Sequence, residues 1–266
     1  MTDYALPVSR LLTLGKPNFE FGRGPGYGRF GFGPEHVPEL VRMVTDMDLN
    51  TANGNSVEVW APLHAWRALA EIQPVGALDA MLAIHKAVLE ETDSDQPGED
   101  LIELSSRLGA AVLPSLERYL ADGSMGSARA NVAEAIGRIG KERPEQRNFC
   151  VAILVRELEH YEQNDGQLNG IIIASLLDLK AVEAAPLMER AFAAEKVDEF
   201  LVGDWDEAQY ELGLAERPAE PATVGFAPWQ DVPGFGPHFD RETRVNLRAK
   251  RKAQRQAKKK NRKKKR

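Results

Sequence analysis

Apolar and polar residues alternate with a helical period through most of the chain, and this pattern repeats. Four segments between residues 57 and 214 end in similar apolar patterns, and their last apolar residues are Ile72, Leu108, Ile139 and Leu179. These closing residues are 36, 31 and 40 positions apart. A short break then leads to a second run in which apolar residues recur every three or four positions. The second runs cover residues 74–89, 110–120, 144–161 and 182–194.

Proline marks the start of the second runs. Pro74, Pro114, Pro144 and Pro186 fall at or near their beginnings, where the missing backbone N–H costs least. A two-helix unit of this kind cannot bury its apolar face alone, so neighbouring units must cover it. We therefore expect an all-α fold, with an α-solenoid of stacked antiparallel helix pairs over residues 57–214.

Two of the repeated segments also match each other. They are Gly-Ala-Ala-Val-Leu-Pro-Ser-Leu at 109–116 and Leu-Lys-Ala-Val-Glu-Ala-Ala-Pro-Leu-Met at 179–188. In these segments the chain resembles the HEAT-like repeat group that includes the repeats of phycobilisome lyases. The resemblance covers about 57–214 and implies a HEAT-like α-solenoid. It also implies a bilin-lyase-like enzyme or accessory factor as one activity, although no reactive residue can be carried onto this sequence.

Residues 1–56 precede the repeats, and we expect them to pack on the solenoid. The pattern predicts a short helix over 5–14 and a second helix over 35–44. Between them lies a glycine-rich loop, 19–34, whose interleaved aromatic residues can pin it to a core. A polar connection over 46–56 completes this segment.

Part of the glycine-rich loop, from Gly26 to Gly31, has the spelling Gly-x-Gly-x-x-Gly of dinucleotide-binding folds. That fingerprint requires a β-strand before it, a helix that opens at it, and an acid about 20 residues later in a βαβ unit. No strand pattern precedes these glycines and no parallel-sheet pattern follows them. An irregular loop is therefore the favoured interpretation.

Charge divides sharply along the chain. Residues 241–266 hold 15 Lys or Arg and one acid, whereas residues 1–240 hold 19 basic and 39 acidic residues. A block of like charge resists folding, so we expect a disordered basic tail that serves as an interaction arm. The preceding residues 215–240 have the proline-rich composition of a linker with aromatic anchors. Before them, 204–212 predicts a final acidic helix.

The basic tail predicts contact with a polyanion, either nucleic acid or a ribosomal surface, through phosphate groups. Aromatic residues are absent from it, so base stacking is not indicated. A tail that folds back onto the acidic body is the alternative. The candidate polyanion-binding residues are Lys250, Arg251, Lys252, Arg255, Lys258, Lys259, Lys260, Arg262, Lys263, Lys264, Lys265 and Arg266.

Trp60, His64 and Arg67 are the candidate protein-binding residues within the repeats. They are spaced i, i+4 and i+7, so they share one face of a helix. Such a stripe either lines a groove for a peptide or ligand, or belongs to the core with the histidine as a hydrogen-bonded filler. Both interpretations stay open.

The sequence shows no catalytic constellation, and we expect neither a metal nor a cofactor. The five histidines have no ligand spacing, and the single cysteine, Cys150, sits in an apolar run that predicts a buried reduced thiol. No apolar run is long enough to span a membrane. We expect a cytoplasmic protein, with the basic tail acting as a nuclear import signal if the cell has a nucleus.

These features favour a non-enzymatic interaction or scaffold protein. The helical-repeat surface would bind a protein partner, and the polybasic tail would contact a polyanion. The first alternative is a nucleic-acid- or ribosome-associated protein that acts through its tail. The second is the bilin-lyase-like activity implied by the resemblance.

Overall fold

The computed structural model describes residues 3–17, 26–72, 76–92 and 96–216. Within these ranges the secondary structure is entirely helical, and no β-strand occurs. The predicted all-α fold class is therefore confirmed for the described part of the chain. The predicted linker, from residue 217 onward, and the whole predicted basic tail lie outside the described residues.

Twelve α-helices run through the described ranges, and several are introduced by a single 3₁₀ turn. In chain order they are α1 (Val37–Val44), α2 (Met47–Asn50), α3 (Ala61–Ile72), α4 (Ala77–Thr92), α5 (Gln96–Leu108), α6 (Leu113–Ala121), α7 (Arg129–Glu142), α8 (Arg147–Leu158), α9 (Gly166–Asp178), α10 (Ala185–Ala193), α11 (Glu199–Val202) and α12 (Trp205–Leu212). The four predicted second runs correspond to α4, α6, α8 and α10.

The helices pack in two rows. In the first row α1 contacts α3, α3 contacts α5, α5 contacts α7, α7 contacts α9, and α9 contacts α11. In the second row the contacts run from α4 to α6, α8, α10 and α12 in turn. Helix α7 also touches α6 and α8, which joins the rows. Each amphipathic helix thus buries its apolar stripe against its neighbours, and one continuous core results.

Proline and polar caps set the ends of the helices. Pro114 and Pro186 lie in the first turns of α6 and α10, and Pro144 opens a 3₁₀ turn just before α8. The expected final acidic helix is α12, whose N-cap Asp204 and N3 residue Glu207 form a reciprocal capping box. The connection predicted at 46–56 differs from expectation, because the Asp46 side chain caps the short helix α2 within it.

The N-terminal segment covers the outer flank of α3. A 3₁₀ turn, Val8–Thr13, replaces the predicted helix over 5–14, and it contacts α3 together with α1 and a second 3₁₀ turn, Tyr27–Phe30. Val8, Leu11 and Tyr27 are buried in the common core. As a result, every residue of α3 from Ala61 to Ala70 is buried.

Small residues let the first row pack closely at α7. A Cβ atom added to Gly137 would lie 2.6 Å from the Cβ of Ser175 on α9 and 3.3 Å from its Cα. A Cβ at Gly140 would lie 3.0 Å from the Cβ of Cys150. Cys150 is fully buried at this contact, and burial raises the pKa of its thiol to about 11, as expected for an unreactive core cysteine.

Polar contacts between neighbouring units recur at about one repeat length. In the first row Arg138 donates to Glu103, 35 residues earlier, at 2.7 Å, and Lys141 donates to Asp178, 37 residues later, at 3.0 Å. In the second row Arg118 pairs with Asp79 across 39 residues. The pairs Ser106–Glu142 and Glu117–Arg156 span 36 and 39 residues in the same way.

Cationic side chains also close the carboxyl ends of helices. Arg147 donates from Nε to the Leu179 carbonyl at 2.7 Å and from Nη2 to the Lys180 carbonyl at 2.9 Å. Lys180 in turn donates to the Glu211 carbonyl at 2.7 Å. The Leu179 and Glu211 carbonyls lie at the carboxyl ends of α9 and α12, where the negative end of the helix dipole favours a cation, and the Lys180 carbonyl also accepts from the Val182 backbone N–H at 3.0 Å.

We predict that Gly137→Ala destabilises the protein despite the better helix propensity of alanine. The added methyl group collides with the Cβ and Oγ atoms of Ser175, and the Cβ position is fixed by the α9 backbone. Helices α7 and α9 must therefore separate, and we expect a net loss of about 1–2 kcal/mol in the free energy of unfolding. Urea unfolding followed by far-UV circular dichroism measures this loss. Gly123→Ala is the control, because its added Cβ meets no atom within 4 Å among the described residues. Equal stability of the two variants would contradict the close packing of α7 and α9.

Candidate functional site

The structure places the Trp60, His64 and Arg67 stripe mostly in the interior. His64 and Arg67 lie on α3 and are only 2% and 3% exposed. Trp60 is half-buried in a 3₁₀ turn just before α3, with the Lys16 ammonium group 5.8 Å above its ring. His64 and Arg67 therefore offer no surface to a docking protein, since the N-terminal segment already covers them. The burial of His64 and Arg67 agrees with the interpretation that this stripe belongs to the core.

His64 links two parts of the N-terminal segment. Its Nε2 atom lies 2.8 Å from the Gly15 carbonyl oxygen, and its Nδ1 atom lies 2.7 Å from the Tyr27 hydroxyl. A carbonyl only accepts, so Nε2 carries the proton and Nδ1 accepts from the tyrosine. This neutral form matches the pKa of His64, which burial lowers and the nearby Arg67 charge lowers further.

The glycines at 26–31 are anchored by an acidic side chain of α3. The Glu71 carboxylate accepts hydrogen bonds from the backbone N–H groups of Tyr27 at 3.0 Å and Gly28 at 2.9 Å. The stretch forms a single 3₁₀ turn that ends at Gly31 in the left-handed region, with φ of 73°. It does not open an α-helix, so these amides bind a carboxylate of the same chain where a dinucleotide fold would bind phosphate.

Four buried side chains, Tyr27, His64, Arg67 and Asp100, make up what we call the buried polar cluster. Arg67 on α3 pairs with Asp100 on α5 at 3.7 Å, and Asp100 is only 1% exposed. Desolvation raises the pKa of the Tyr27 hydroxyl to about 12, while the Arg67 charge opposes that rise. The cluster joins the N-terminal segment, α3 and α5. Because all four side chains are buried, it presents no reacting atom to a substrate from solvent.

A second buried polar cluster joins α7, α8 and α9. Arg129 donates to the Leu120 carbonyl at 2.6 Å, to the Asn164 side chain at 3.3 Å, and to Glu157. Asn169 donates to the carbonyl groups of Tyr161 and Lys196 at 2.9 and 2.8 Å. These bonds satisfy backbone oxygens at the turns between helices, which indicates a structural role.

His85 is a deeply buried titratable group of the second row. It lies on α4, is 1% exposed, and meets the ring of Tyr119 on α6 edge-on at 6.3 Å between centroids. Burial lowers its pKa to about 4, and the Asn131 side chain partly offsets that change. The imidazole is therefore neutral at physiological pH and acts as a packing group.

Exposed acidic and apolar side chains occur together near the carboxyl-terminal end of the described residues. We call residues 194–216 the acidic terminal segment, because they hold eight acids and one lysine. Glu195, Glu199, Asp206 and Glu216 are exposed in this segment. Large apolar side chains are exposed there as well, and these are Phe200, Tyr210 and Leu214. Exposed aromatic groups amid one sign of charge are typical of a binding surface.

Comparison with known proteins identifies no relative of this chain. Family models, curated proteins and solved structures yield no match to this chain. In the ranges that the structure describes, no three His, Cys, Asp or Glu side chains lie together as metal ligands would. None of the helices in those ranges has the length and apolarity to cross a membrane. The candidate polyanion-binding residues, Lys250 to Arg266, lie outside the described residues.

We predict that stability falls on acidification below about pH 6.5, in part because His85 resists protonation in the folded state. The unfolded chain gains the proton near the ordinary histidine pKa, whereas the folded chain gains it only near 4. The unfolded state thus binds more protons in this window, which costs up to about 1.4 kcal/mol for each pH unit. Urea unfolding of wild type and His85→Leu at pH 7 and pH 5 measures the difference.

The leucine variant should lose about 2 kcal/mol less than the wild type between these two pH values. His160→Gln is the matched control, because His160 is exposed and its removal should leave the pH dependence unchanged. Identical pH dependence in wild type and His85→Leu would show that His85 is not held neutral by burial.

Proposed function

We propose that this chain is a non-enzymatic interaction protein of the cytoplasm, with a HEAT-like α-solenoid over residues 57–214. Its helical surface binds a protein partner, and its polybasic tail contacts a polyanion. The observation that carries the proposal is the division of charge, since 15 of the 34 basic residues lie in the last 26 positions. An acidic scaffold and a basic arm have opposite electrostatic preferences, so they suit two different partners.

The two rows of helices support the solenoid. Each helix contacts the next member of its own row, as expected when every unit meets only its neighbours. The separations of 35 to 39 residues between side-chain partners such as Glu103 and Arg138, or Asp79 and Arg118, support it further. A regular stack repeats its contacts at the repeat length, whereas an irregular helical globule has no reason to do so.

The acidic terminal segment supports a partner with a basic surface. Residues 1–216 hold 36 acids and 18 basic residues, and eight of the acids lie in this segment. Long-range attraction would speed encounter with a cationic protein. Exposed Phe200, Tyr210 and Leu214 would supply the apolar contact area that anchors a complex.

The composition of the tail supports nucleic acid as the polyanion, for instance on a ribosomal surface. Lys and Arg at this density neutralise phosphates and release counterions, which is the main source of non-specific affinity for nucleic acid. Aromatic residues are missing from residues 241–266, so sequence readout by stacking is not supported. The buried polar clusters have structural partners, and they support a rigid scaffold.

We predict that reversing charge in the acidic terminal segment abolishes capture of a basic partner. The variant combines Glu195→Lys, Asp206→Lys and Glu216→Lys, all at exposed positions. Crosslinking in cell extract followed by quantitative mass spectrometry compares it with the wild type. The proteins lost should be those of high isoelectric point, with recovery falling at least about tenfold.

The matched control reverses three exposed acids of the N-terminal segment, Asp3, Glu35 and Asp48. It adds the same charge far along the sequence from the acidic terminal segment, so partner capture should persist. A partner set that is unchanged in the terminal variant, or lost equally in the control, would contradict a partner site at the acidic terminal segment.

The tail leads to a separate prediction. Replacing the twelve basic residues between Lys250 and Arg266 with Gln should weaken binding of the full chain to single-stranded RNA by at least about a hundredfold at low salt. The logarithm of the wild-type affinity should fall linearly with the logarithm of salt concentration, and the Gln variant should lose most of that slope. Fluorescence anisotropy over a salt series measures both. RNA affinity that survives the substitutions would assign nucleic-acid binding to the helical body instead.

A further inference from the structure

Four aromatic rings of the N-terminal segment form a connected series, which we call the aromatic row. The ring centroids of Tyr27 and Phe30 lie 6.4 Å apart, those of Phe30 and Phe32 lie 5.7 Å apart, and those of Phe32 and His36 lie 5.9 Å apart. Tyr27 is buried, whereas the other three side chains are half-buried. The row therefore leads from the core of the protein to its surface.

The aromatic row is anchored at both ends. At the inner end the Tyr27 hydroxyl bonds to His64, and the Tyr27 backbone N–H donates to Glu71. At the outer end the Gly33 backbone N–H donates to Nδ1 of His36 at 3.0 Å. Rings that are positioned before a ligand arrives lose little conformational entropy on binding.

Glycines leave the backbone beside the row uncovered. A Cβ atom added to Gly26 or to Gly31 would meet no atom within 4 Å among the described residues. Gly31 also has φ of 73°, in the left-handed region where other residues are strained. The space next to Phe30 is thus open to a flat group from solution.

An arginine without a carboxylate partner lies over this row. Arg29 is exposed, and its guanidinium carbon lies 4.8 Å from the centroid of the Phe30 ring. Within the described residues, no acidic side chain pairs with it. A planar guanidinium held on an aromatic ring offers its free face for stacking and its charge to an anion.

The charge around the row differs from that of the rest of the helical body. Residues 10–17 and 26–34 hold three exposed cations, Arg10, Lys16 and Arg29, and no acid. Residues 1–216 as a whole hold twice as many acids as basic residues. This part of the surface therefore favours a negatively charged ligand more than the acidic remainder does.

We propose that the aromatic row and Arg29 form a stacking platform for single-stranded nucleic acid. Unpaired bases stack on aromatic rings and on arginine guanidinium planes, while the phosphates between them need nearby cations. A proline-rich peptide also packs on aromatic rings, but it gives no role to the unpaired charge of Arg29. The platform would add base stacking to a tail that holds no aromatic residue. This inference rests on the proposed function, because it takes nucleic acid as the polyanion.

Removal of the outer rings tests the platform in the full chain. The probes are a fluorescein-labelled single-stranded RNA and a matched strand of the same length that carries abasic sites in place of bases. Phe30→Leu combined with Phe32→Leu keeps apolar side chains on the core but removes the rings. Fluorescence anisotropy should show RNA binding at least about fivefold weaker in this variant, with binding of the abasic strand within about twofold of the wild type.

The matched control removes two exposed aromatic rings elsewhere, by Phe149→Leu combined with Phe200→Leu. Its affinities for both strands should stay within about twofold of the wild type. Arg29→Lys gives a second measurement at an exposed position, where the fold is not at risk. Lysine keeps the charge and loses the planar group, so RNA binding should weaken about twofold to fivefold while abasic binding is unchanged.

The ratio of RNA affinity to abasic affinity is the deciding quantity. A ratio that stays at the wild-type value in both the Phe30, Phe32 variant and Arg29→Lys would overturn the proposal, as would an equal fall of the ratio in the control. An oligoproline peptide that binds the wild type and loses affinity in the Phe30, Phe32 variant, with the RNA ratio unchanged, would assign the surface to a peptide instead.

Failure of the platform and failure of the tail can be told apart. If the Gln tail variant loses binding of both strands while the ring variants keep the wild-type ratio, the platform falls and the tail stands. If the ring variants lower the ratio while the Gln tail variant keeps its RNA affinity, the platform stands and the tail loses its assigned role. A wild-type chain that binds neither strand would overturn both.

Discussion

The need of each helix to cover its neighbour is the constraint on which the rest of the structure depends. No helix of this chain can hide its apolar stripe alone, so α3, α5, α7 and α9 bury theirs against one another in chain order. Small residues set the separation between them, as at Gly137, where an added Cβ atom would lie 2.6 Å from the Cβ of Ser175 on α9. The helices at the two ends of the rows lack a further neighbour to cover their apolar residues. The N-terminal segment covers α3, and the capped helix α12 ends the other row.

Polar contacts fix the register of neighbouring helices in this apolar packing. Apolar stripes allow neighbouring helices to slide, whereas an ion pair between Glu103 and Arg138, or a guanidinium on the Leu179 carbonyl, is satisfied at one register only. The buried ion pair of Arg67 and Asp100 favours one register of α3 and α5 in the same way. Buried charges of this kind give little net stability, since desolvation offsets their attraction, and their use is to penalise other arrangements. The histidines fit the same scheme, because burial holds His64 and His85 neutral as structural groups.

An acidic helical body with a basic tail suits the proposed role as an interaction protein. Rigidity lowers the entropy lost when a partner docks, because the contacting side chains are already positioned. In the proposed function, opposite charges on the body and the tail would select different partners and discourage the wrong one from each. The polar groups described above have structural partners: the Glu71 carboxylate accepts from the amides of Tyr27 and Gly28, and the buried Arg129 donates to the Leu120 carbonyl at a turn between helices. In the proposed function, recognition would fall to exposed groups such as Phe200.

The sequence by itself determined the helical class, most of the longer helices, the final acidic helix and the burial of Cys150, since each depends on local periodicity or on nearby prolines. It missed the short helix α2 and predicted a helix over 5–14 where a 3₁₀ turn forms. It also placed Trp60, His64 and Arg67 on one face, because i, i+4 and i+7 spacing is a local property. Only the tertiary structure decided that this face points inward. The partners of His64 and Glu71 lie 37 to 49 residues away, at Gly15 and around Tyr27, and Asp100 comes from another helix. Local pattern cannot choose among distant partners, because which surfaces meet is settled by the packing of all the helices at once.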